Sequence, residues 1–574
     1  MCGLAGFISS SNKLDKYRDH IKENFKYSLK ERGPDNTSFF ENNHLILCHT
    51  RLGIQGMFDN EANQPFITKN NILIFNGEIF NHFELRKQYL EEVKFKTTSD
   101  TETLAYLLEK YSFKKVLSIL NGIFAFSLYK KNENKVLIAR DHMGIKPLYY
   151  FFGKIGQEYF LTFSSYASSI VRSLLPFKNF KLSRQGLINF FMLGAPFGKY
   201  TLFQNIFSLE PRSFYEFDIN KWSAKSSTYD IKTNEISPNL ETIASIENIA
   251  DCKTGILLSG GVDSSSLATI LKPNVSFHLS SQEIIYAQHV ADKISSDFKV
   301  IKQKNINFSN IYYKYAEKTG HCSASCPIPY ITAESIKSHN IRVIYSANGA
   351  DELFYGYPRT PIGKNLKSNN SYFWGFNKKD HDFIHNDHNK QVSHIFRNFN
   401  TLKPIILGKR ITLKPPSYKS LNIKKKQNGW HFREYELLTY DAWDLNVTLD
   451  HSFMMFGIEA RVPFLNSIML NYAKGLDWED NISSEYGRKK ILKDLLMKEG
   501  ISNKVWDRDK VGFSLNNHMM LKRRLKTKKI QQELKDICDF KLDFTSRDGI
   551  YIESALHAFF YWKKAWIDTG IVKI

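Results

Sequence analysis

A change of sequence pattern near residue 250 constrains the fold of this 574-residue chain more than any other feature. Before it, short apolar runs alternate with polar turns, and we predict that Ile123–Tyr129 and Lys135–Ala139 form two strands. After it, an apolar strand, a glycine-rich turn and a helix follow one another repeatedly, as in parallel sheets with crossover helices. A chain of this length also exceeds one ordinary domain. The sequence therefore predicts two domains of different class.

We place the first domain at residues 2–210, a connecting segment at 211–240 and the second domain at 241–574. Residues 360–430 are polar and rich in Asn, Lys and His, so we expect an insertion there. Beyond residue 430, helical patterns dominate to the C-terminus.

A predicted strand and a predicted helix of the first domain each have polar residues at one end. The apolar run Ile72–Phe75 predicts a strand that ends at Asn76-Gly77. The segment Thr101–Tyr111 predicts a helix with Asp100 as its N-cap, because a short polar side chain there can accept a hydrogen bond from the first turn.

Composition excludes several classes of protein. The net charge of +21 comes from 79 basic and 58 acidic residues, but the basic runs lack interleaved aromatic residues and no zinc-finger or RNP motif is present. We interpret this charge as a solvated basic surface and expect no nucleic-acid partner. No apolar run is long enough to span a bilayer and the first residues do not resemble a signal peptide, so we expect a cytoplasmic protein without membrane insertion.

The six cysteines are mostly far apart, which does not suggest a disulfide scaffold. Cys322 and Cys326 lie beside His321, but no second pair completes a tetrahedral metal site. We favour buried or reduced thiols there.

Cys2 is a candidate nucleophile because removal of Met1 would place a free α-amine on the same residue as the thiol. The ordinary pKa of such an amine is about 8, so it can act as a base for the attacking sulfur near neutral pH. A cysteine at this position alone would be weak support for catalysis, and the surrounding motifs decide the interpretation.

Several motifs accompany Cys2 within the first 210 residues. They are Arg32-Gly33-Pro34-Asp35, His49-Thr50-Arg51-Leu52, Asn76-Gly77-Glu78, Ser99-Asp100 and Arg140-Asp141-His142-Met143-Gly144-Ile145-Lys146-Pro147-Leu148-Tyr149. In order, spacing and residue identity they resemble the class II glutamine amidotransferase domain. The resemblance implies a sandwich of two sheets between helix layers, with an N-terminal nucleophile that hydrolyses glutamine.

The resemblance also assigns a role to each polar residue around the nucleophile. Hydrolysis of the glutamine amide creates an oxyanion, for which Asn76 would supply its side-chain amide and Gly77 its backbone N–H. Arg51 matches the position that binds the substrate α-carboxylate, and Asp100 matches the position that binds its α-ammonium. Glu78 completes the predicted glutamine-binding set.

A glycine-rich loop links the predicted strand Gly255–Leu258 to a predicted helix at Ser266–Leu271. Its glycines let the backbone approach a phosphate, and the helix N-terminus directs N–H groups toward it. The loop lacks the ending of a Walker A motif and resembles the pyrophosphate loop of enzymes that cleave ATP between the α- and β-phosphates. The predicted ATP-binding residues here are Leu258, Ser259, Gly260, Gly261, Asp263, Ser264 and Ser265.

A second loop follows the predicted strand Val343–Tyr345 and resembles the second phosphate and metal loop of asparagine synthetases. Asp351 in this loop and Asp263 in the first match the family's Mg²⁺ ligands. The string Arg508-Asp509-Lys510-Val511-Gly512-Phe513 resembles the motif whose lysine neutralises charge during acyl transfer, which assigns a catalytic role to Lys510. The predicted ATP-binding residues of the second loop are Ser346, Ala347, Asn348 and Gly349.

Both halves, with the string Gly457–Leu465, resemble asparagine synthetases of the glutamine-hydrolysing kind over nearly the whole chain. The resemblance implies ATP and Mg²⁺ as cofactors. It implies that ATP activates a carboxylate, aspartate in the family, as an acyl-adenylate, and that ammonia arriving through an internal tunnel converts it to an amide. The implied fold is an α+β N-terminal nucleophile sandwich (αββα) followed by an α/β parallel-sheet domain of ATP-pyrophosphatase type with a helical C-terminal part.

Five departures from the family pattern concern the sites and the domain junction. Asn348 stands where the family usually has Glu, Asn466 where it has Asp, and Thr98 where it often has Gly. The family's SExK string reads Ser165-Tyr166-Ala167-Ser168 here, and its DRxSM string reads Asp450-His451-Ser452-Phe453-Met454. Most of these changes lie in the synthetase half or at the junction, so the acceptor is less certain than the nitrogen source.

Three hypotheses stay open. The first is the amidation of aspartate to asparagine, and the second is the same chemistry on a uronic-acid sugar in surface-polysaccharide (O-antigen) biosynthesis. The third is a non-catalytic regulatory protein, against which the retained reactive residues argue. The expected partners are small molecules, namely glutamine, ATP and a carboxylate acceptor, and a homodimer is compatible with the sequence.

Overall fold

The computed structural model of the chain describes residues 2–11, 14–231, 239–302, 306–356, 404–411, 430–483, 487–508, 526–540 and 547–574. Lys510 and most of the predicted insertion at 360–430 lie outside these described residues.

The first half of the chain contains two antiparallel six-stranded sheets. The strand order of the first sheet is Phe207–Ser208, Tyr149–Ile155, Glu158–Ser164, Cys2–Ser9, Leu45–Arg51 and Asn36–Glu41. The order of the second is Ser223–Thr228, Ser213–Asp218, Lys135–Arg140, Gly122–Lys130, Asn71–Ile79 and Phe66–Ile67. Two strands of the second sheet, Ser213–Asp218 and Ser223–Thr228, therefore follow the domain boundary predicted at residue 210.

The side chains of strand Cys2–Ser9 explain how the sheets stack. Successive residues of a strand point to opposite faces. Leu4 and Ile8 pack between the two sheets, whereas Ala5 and Phe7 pack against helices on the outer face. A second helix layer covers the outer face of the other sheet. The described helices of this half are Leu14–Leu29, His82–Tyr89, Asp100–Lys110, Phe113–Ile119, Ala167–Leu174 and Arg184–Leu193, with the 3₁₀ turn Asn60–Ala62. The predicted αββα sandwich is confirmed.

The second half is built on a five-stranded sheet in which every strand pairing is parallel. Its strand order is Asp297–Ile301, Val275–Leu279, Thr254–Leu257, Val343–Tyr345 and Glu459–Arg461. The strands that precede the two predicted ATP loops are direct neighbours, so both loops leave the same carboxyl edge of the sheet. The predicted α/β class is confirmed.

Helices cover this sheet and form most of the C-terminal part. They are Leu240–Ser245, Val262–Leu271, Ile284–Lys293, Phe308–Thr319, Pro327–Ile336, Ala350–Leu353, Trp430–Glu436, Asn446–Met454, Ser467–Gly475, Trp478–Asn481, Lys490–Lys498, Asn503–Trp506 and Arg547–Trp566, with 3₁₀ turns Lys337–His339 and Pro463–Leu465 and the π-helical segment Leu437–Leu445. The remaining strands are Phe180–Lys181 with Val572–Lys573, Lys409–Arg410 with Ile405–Ile406 and Cys538–Asp539, and Ile482–Ser483 with Gly487–Arg488.

The local predictions were correct in kind and differ at their ends. Strand Asn71–Ile79 continues through Asn76-Gly77, which the sequence placed at its end. The helix predicted at Thr101–Tyr111 begins at Asp100, and its N-cap is Ser99, whose side chain accepts from the Thr101 backbone N–H. The Asp100 carboxylate accepts instead from Ile79, at the end of strand Asn71–Ile79, and this leaves the capping position to Ser99.

Two further sequence features are the cysteines and the apolar runs. All six cysteines are free thiols, and Cys322 and Cys326 are buried as predicted. In the described part of the chain, no helix has the length and apolar character that crossing a membrane requires.

The C-terminal helix Arg547–Trp566 joins the two halves through its tryptophans. The indole N–H of Trp562 donates to the Gly320 carbonyl at 3.0 Å, and that of Trp566 donates to the Ala316 carbonyl at 2.9 Å. Both indoles also pack against Phe203 of the first half. The helix is therefore part of one apolar core shared by both halves.

We expect Trp566→Ala to lower the free energy of unfolding by about 3–5 kcal/mol, because it leaves a cavity in this core. Chemical denaturation followed by fluorescence and circular dichroism measures the change. Lys564→Ala on the exposed side of the same helix is the control and should change it by about 0.5 kcal/mol or less. Equal effects of the two variants would contradict the shared core.

Candidate functional site

Cys2 begins the central strand of the first sheet, and Asn76 lies in the facing sheet. The backbone nitrogen of Cys2 donates to the Asn76 side-chain oxygen Oδ1 at 3.0 Å. The Asn76 amide nitrogen Nδ2 is buried and has no partner among the described residues. A buried amide donor without an acceptor is costly, so this group is suited to an oxygen atom of a bound molecule.

The environment of the Cys2 thiol sets its protonation. Burial raises the pKa of the Cys2 thiol. The backbone N–H of Leu52 and the nearby charge of Arg51 act in the opposite direction and lower it. Gly77 follows Asn76, and a Cβ atom there would lie 2.1 Å from the Ile123 carbonyl oxygen. Only glycine therefore fits next to Asn76 at this point of the strand.

Arg51 lies opposite Cys2 on the neighbouring strand. Its side chain points into the loop that follows its own strand. Its Nη1 donates to the Asp59 carbonyl at 2.7 Å and to Asn63 Oδ1 at 3.1 Å, and its Nη2 donates to the Gly56 carbonyl at 2.6 Å. These bonds use three of the five guanidinium N–H groups. The other two, on Nε and Nη2, are the pair that can hold a carboxylate in a bidentate manner.

Asp100 and Glu78 place two carboxylates near this site, and both are almost fully buried. Asp100 Oδ2 accepts from the Ile79 backbone N–H at 2.8 Å. Burial raises the pKa of Asp100 to about 6 and that of Glu78 to about 8. Glu78 also accepts from the Gln55 side chain. Its neutral form therefore prevails at pH 7, whereas Asp100 is mostly ionised.

The first ATP loop is a tight turn at the carboxyl end of strand Thr254–Leu257. Gly260 has φ +82°, where a side chain would be strained and would approach Ala287 N to 2.8 Å. Ser259 and Ser264 hydrogen-bond across the turn at 2.9 Å. Helix Val262–Leu271 starts four residues earlier than predicted and directs its N-terminus at the loop.

The second loop closes against other parts of the synthetase half. The Ser346 hydroxyl donates to Asn348 Oδ1 at 2.8 Å. Gly349 has φ +89°, and a Cβ atom there would lie 2.3 Å from Leu465 Cδ2. Arg508, at the start of the motif that contains Lys510, donates to the Gly260 carbonyl at 2.9 Å. The described part of that motif therefore reaches the first ATP loop.

Asp263 and Asp351, the predicted Mg²⁺ ligands, come from different loops and converge on one point. The ammonium group of Lys489 lies 2.5 Å from Asp263 Oδ1 and 2.5 Å from Asp351 Oδ1. A Cβ atom on Gly356 would lie 2.0 Å from Asp351 Oδ1 and 2.3 Å from Lys489 Cε, so the absence of a side chain at Gly356 leaves room for this cluster. Lys489 has φ +62°, an unfavourable value for lysine that such packing can maintain.

Lys489 was not predicted from the sequence. It belongs to the short basic run Arg488-Lys489-Lys490, which reads as a solvated surface. Its left-handed backbone and its position between two carboxylates appear only in the tertiary structure.

Comparison with protein families agrees with both halves of this architecture. A model of the glutamine amidotransferase domain matches residues 1–229, and the asparagine synthase model matches residues 239–560. The chain belongs to the asparagine synthase family.

Curated relatives are similar over much of the chain. Asparagine synthetase B of Escherichia coli (strain K12) is 28% identical over 385 residues, which are 62% of this chain and 65% of the relative, slightly less than two thirds of it. Asparagine synthetase 2 of Bacillus subtilis (strain 168) is 25% identical over 531 residues, 83% of this chain and 67% of the relative. Asparagine synthetase 1 of Arabidopsis thaliana is 27% identical over 513 residues, 85% of this chain and 72% of the relative.

Two departures from the family pattern meet at the domain junction. Tyr166 occupies the usual Glu position of SExK, and His451 occupies the usual Arg position of DRxSM. Their rings contact each other edge to face, with centroids 5.0 Å apart. One hydrogen bond of 3.1 Å joins His451 Nε2 and the Tyr149 hydroxyl. Burial lowers the pKa of His451 to about 4, so the contact joins two neutral groups.

The Asn466 departure has a structural explanation. Its Oδ1 caps helix Ser467–Gly475 by accepting from the Met469 N–H at 2.8 Å. Its Nδ2 donates to the carbonyls of Ile243 at 3.1 Å and Pro463 at 3.0 Å. Aspartate could cap the helix but could not donate these two bonds.

We expect His451→Arg to destabilise the protein by about 3–5 kcal/mol, because it adds a buried positive charge where Arg32 and Lys146 already share the carboxylate of Asp450. Tyr166→Glu is the compensating change. The double variant should recover most of this loss, since the two new charges would face each other. Equilibrium unfolding of the wild type, both single variants and the double variant gives the coupling energy. Additive losses in the double variant would contradict this pairing.

Proposed function

We propose that the chain is a glutamine-dependent, ATP-consuming amidotransferase of the asparagine synthetase type. Glutamine is hydrolysed at Cys2, and its ammonia attacks an acyl-adenylate formed from ATP and a carboxylate, giving an amide, AMP and pyrophosphate. The observation that carries this proposal is the presence in one chain of a buried thiol beside an unpaired amide donor and of a carboxylate pair at two phosphate-type loops.

The contacts around Cys2 suit the attack of its sulfur on an amide carbon. Once Met1 is removed, the nitrogen that lies 3.0 Å from Asn76 Oδ1 becomes the α-amine that accepts the thiol proton. The same hydrogen bond fixes the Asn76 amide so that Nδ2 can donate to the developing oxyanion. The Gly77 backbone N–H is the second proposed donor.

Glutamine recognition is assigned to Arg51 and Asp100. The remaining N–H pair of Arg51 would bind the α-carboxylate, and the ionised Asp100 would bind the α-ammonium. An open depression in the surface lies beside the loop that Arg51 holds and is lined by residues 56–61, Thr98 and Asp251.

The residues at the second site fit a magnesium ion. Asp263 and Asp351 are hard oxygen donors that already converge on a cation, the ammonium of Lys489. Two carboxylates are enough when nucleotide phosphates complete the coordination, and among the described residues no larger ligand group is present. Bound Mg²⁺ would neutralise pyrophosphate as it leaves. Lys489 would then move from the carboxylates to the phosphates.

Aspartate is the first candidate acceptor, and a uronic acid of surface-polysaccharide biosynthesis is the second. The second candidate is favoured by Asn348, which replaces an acid beside the ATP loop with a neutral amide held by Ser346. That change alters the charge and the proton-accepting capacity of the acceptor side of the site.

Pyrophosphate release with glutamine and ATP, measured with aspartate and with a panel of nucleotide-linked uronates, tests the function and separates the acceptors. We expect release with one acceptor class and loss of the glutamine-supported reaction in Cys2→Ala, while ammonium salts still support it. Loss of release in Lys489→Ala with either nitrogen source would support the assigned role of Lys489. No release with any acceptor would contradict the proposal.

The raised pKa of Asp100 predicts an acid limit for glutamine use. Asp100 is ionised above its pKa of about 6, so kcat/KM for glutamine should fall by about tenfold for each pH unit below that value. Glutaminase assays between pH 5 and 8 measure this profile. Asp100→Asn should lower kcat/KM at neutral pH and remove the additional fall below pH 6, leaving only the fall caused by protonation of the α-amine. A wild-type profile without an additional fall between pH 6 and 5 would contradict the assignment.

A further inference from the structure

The loop that precedes Asp100, residues 96–99, is held by hydrogen bonds to its backbone N–H groups. The Glu102 carboxylate accepts from the N–H of Lys96 at 3.0 Å and from that of Thr97 at 2.8 Å. The Thr97 hydroxyl donates to the same carboxylate at 2.8 Å. Glu102, which lies in the first turn of the helix that Asp100 begins, therefore fixes the N–H side of this loop.

The carbonyl side of the loop is held by an arginine from another helix. Arg86 lies in the last turn of helix His82–Tyr89. Its Nη1 donates to the Thr97 carbonyl at 2.8 Å, and its Nη2 donates to the Ser99 carbonyl at 2.6 Å. Its Nε donates to Thr103 Oγ1 at 2.6 Å. One planar guanidinium therefore joins the loop to the helix that follows it, in a geometry that the single ammonium of a lysine does not reproduce.

The Arg86 guanidinium is itself held by packing and by charge. Its Cζ atom lies 3.9 Å from the ring centroid of Phe95 and 5.8 Å from that of Phe83. Burial lowers the pKa of Arg86, and the charges of Glu102 and Asp100 act in the opposite direction. Attraction between opposite charges is mutual, so Arg86 also favours the ionised form of Asp100.

These contacts determine how the Asp100 carboxylate is presented. The Ser99 carbonyl and the Asp100 nitrogen belong to one planar peptide unit, so the bond from Arg86 to this carbonyl orients the backbone from which the Asp100 side chain leaves. Asp100 Oδ2 accepts from the Ile79 N–H at 2.8 Å, whereas Oδ1 accepts a longer bond of 3.4 Å from the Ser99 hydroxyl. An ammonium group can replace the longer bond, because a charged donor binds a carboxylate more strongly than a hydroxyl does.

We infer that Arg86 is the residue that positions Asp100 for the α-ammonium group of glutamine, and that it thereby sets the preference of this site for an α-amino acid. The inference rests on the proposed function, because it requires glutamine as the substrate at Cys2. Arg86 acts through the loop 96–99 and not by contact with the substrate. Without it the carboxylate turns away from the α-ammonium, whereas the amide and the α-carboxylate of the substrate keep their partners.

Hydrolysis of glutamine and of glutaramate, the same molecule without its α-amino group, tests the inference. We expect Arg86→Ala to lower kcat/KM for glutamine by about tenfold or more, mainly through KM, and that for glutaramate by about threefold or less. Arg86→Lys keeps the charge without the planar fork and should recover part of the loss. Lys87→Ala, at an exposed position of the same helix, is the matched control and should leave both values unchanged. An equal loss for both substrates in Arg86→Ala overturns the inference.

A double-variant cycle tests the same inference with glutamine alone. If Arg86 acts through Asp100, adding Arg86→Ala to Asp100→Asn should lower kcat/KM by about twofold or less beyond Asp100→Asn itself. Independent losses that multiply in the double variant overturn the inference and leave the proposed function intact. Pyrophosphate release supported by ammonium salts should stay at the wild-type level in the Arg86 variants, and its loss would assign Arg86 to folding and also overturn the inference. Absence of glutamine hydrolysis by the wild-type protein overturns both.

Discussion

The buried ion cluster around Arg32 is the interaction on which the relation of the two halves depends. Arg32 Nε donates to the Cys2 carbonyl at 3.1 Å, and its Nη1 lies 2.9 Å from Asp450 Oδ2 in the synthetase half. Lys146 approaches the other Asp450 oxygen at 3.4 Å. Although burial opposes ionisation, Arg32 and Lys146 hold the pKa of Asp450 well below its usual range. The strand that begins at Cys2 is thus tied to the second domain by charges that have no access to water.

Buried charges at an interface are costly to bring together, and their value lies in geometry more than in net stability. A misplaced domain would leave Asp450 without Arg32 and Lys146 in a medium of low polarity. Glu247 illustrates the cost. Both of its side-chain oxygens are buried without a hydrogen-bond partner among the described residues, and burial raises its pKa to about 8. It is therefore neutral at pH 7, and its backbone carbonyl, which accepts from Arg461, makes the structural contact.

Two of the departures from the family pattern meet at the domain junction. Tyr166 and His451 contact each other beside Asp450, and both replace charged family residues with groups that are neutral when buried. Asn466 is used as a cap and a donor within the synthetase half. Asn348 alone lies in an ATP loop, so it remains the departure with the most direct bearing on the acceptor.

Sequence by itself determined the class of both halves and predicted most of the residues of both proposed sites. Period-two apolar runs and strand–glycine–helix units depend on local patterns, so the αββα sandwich and the parallel sheet could be read from them. Cys2, Asn76, Asp263 and Asp351 carried their own motifs. The ends of elements were less accurate, because the competition between Ser99 and Asp100 for the cap is settled by a strand elsewhere in the chain.

Only the tertiary structure decided which residues make the contacts within and between the two halves. Lys489, Asp251 and Arg461 act through partners that are more than one hundred residues away in the chain, such as Asp263, Gly56 and Glu78. No local pattern distinguishes such a side chain from others of its type, because its role comes from a partner that folding brings into reach. The sequence therefore defined the two reacting centres, whereas the contacts between them follow from the packing of one domain on the other.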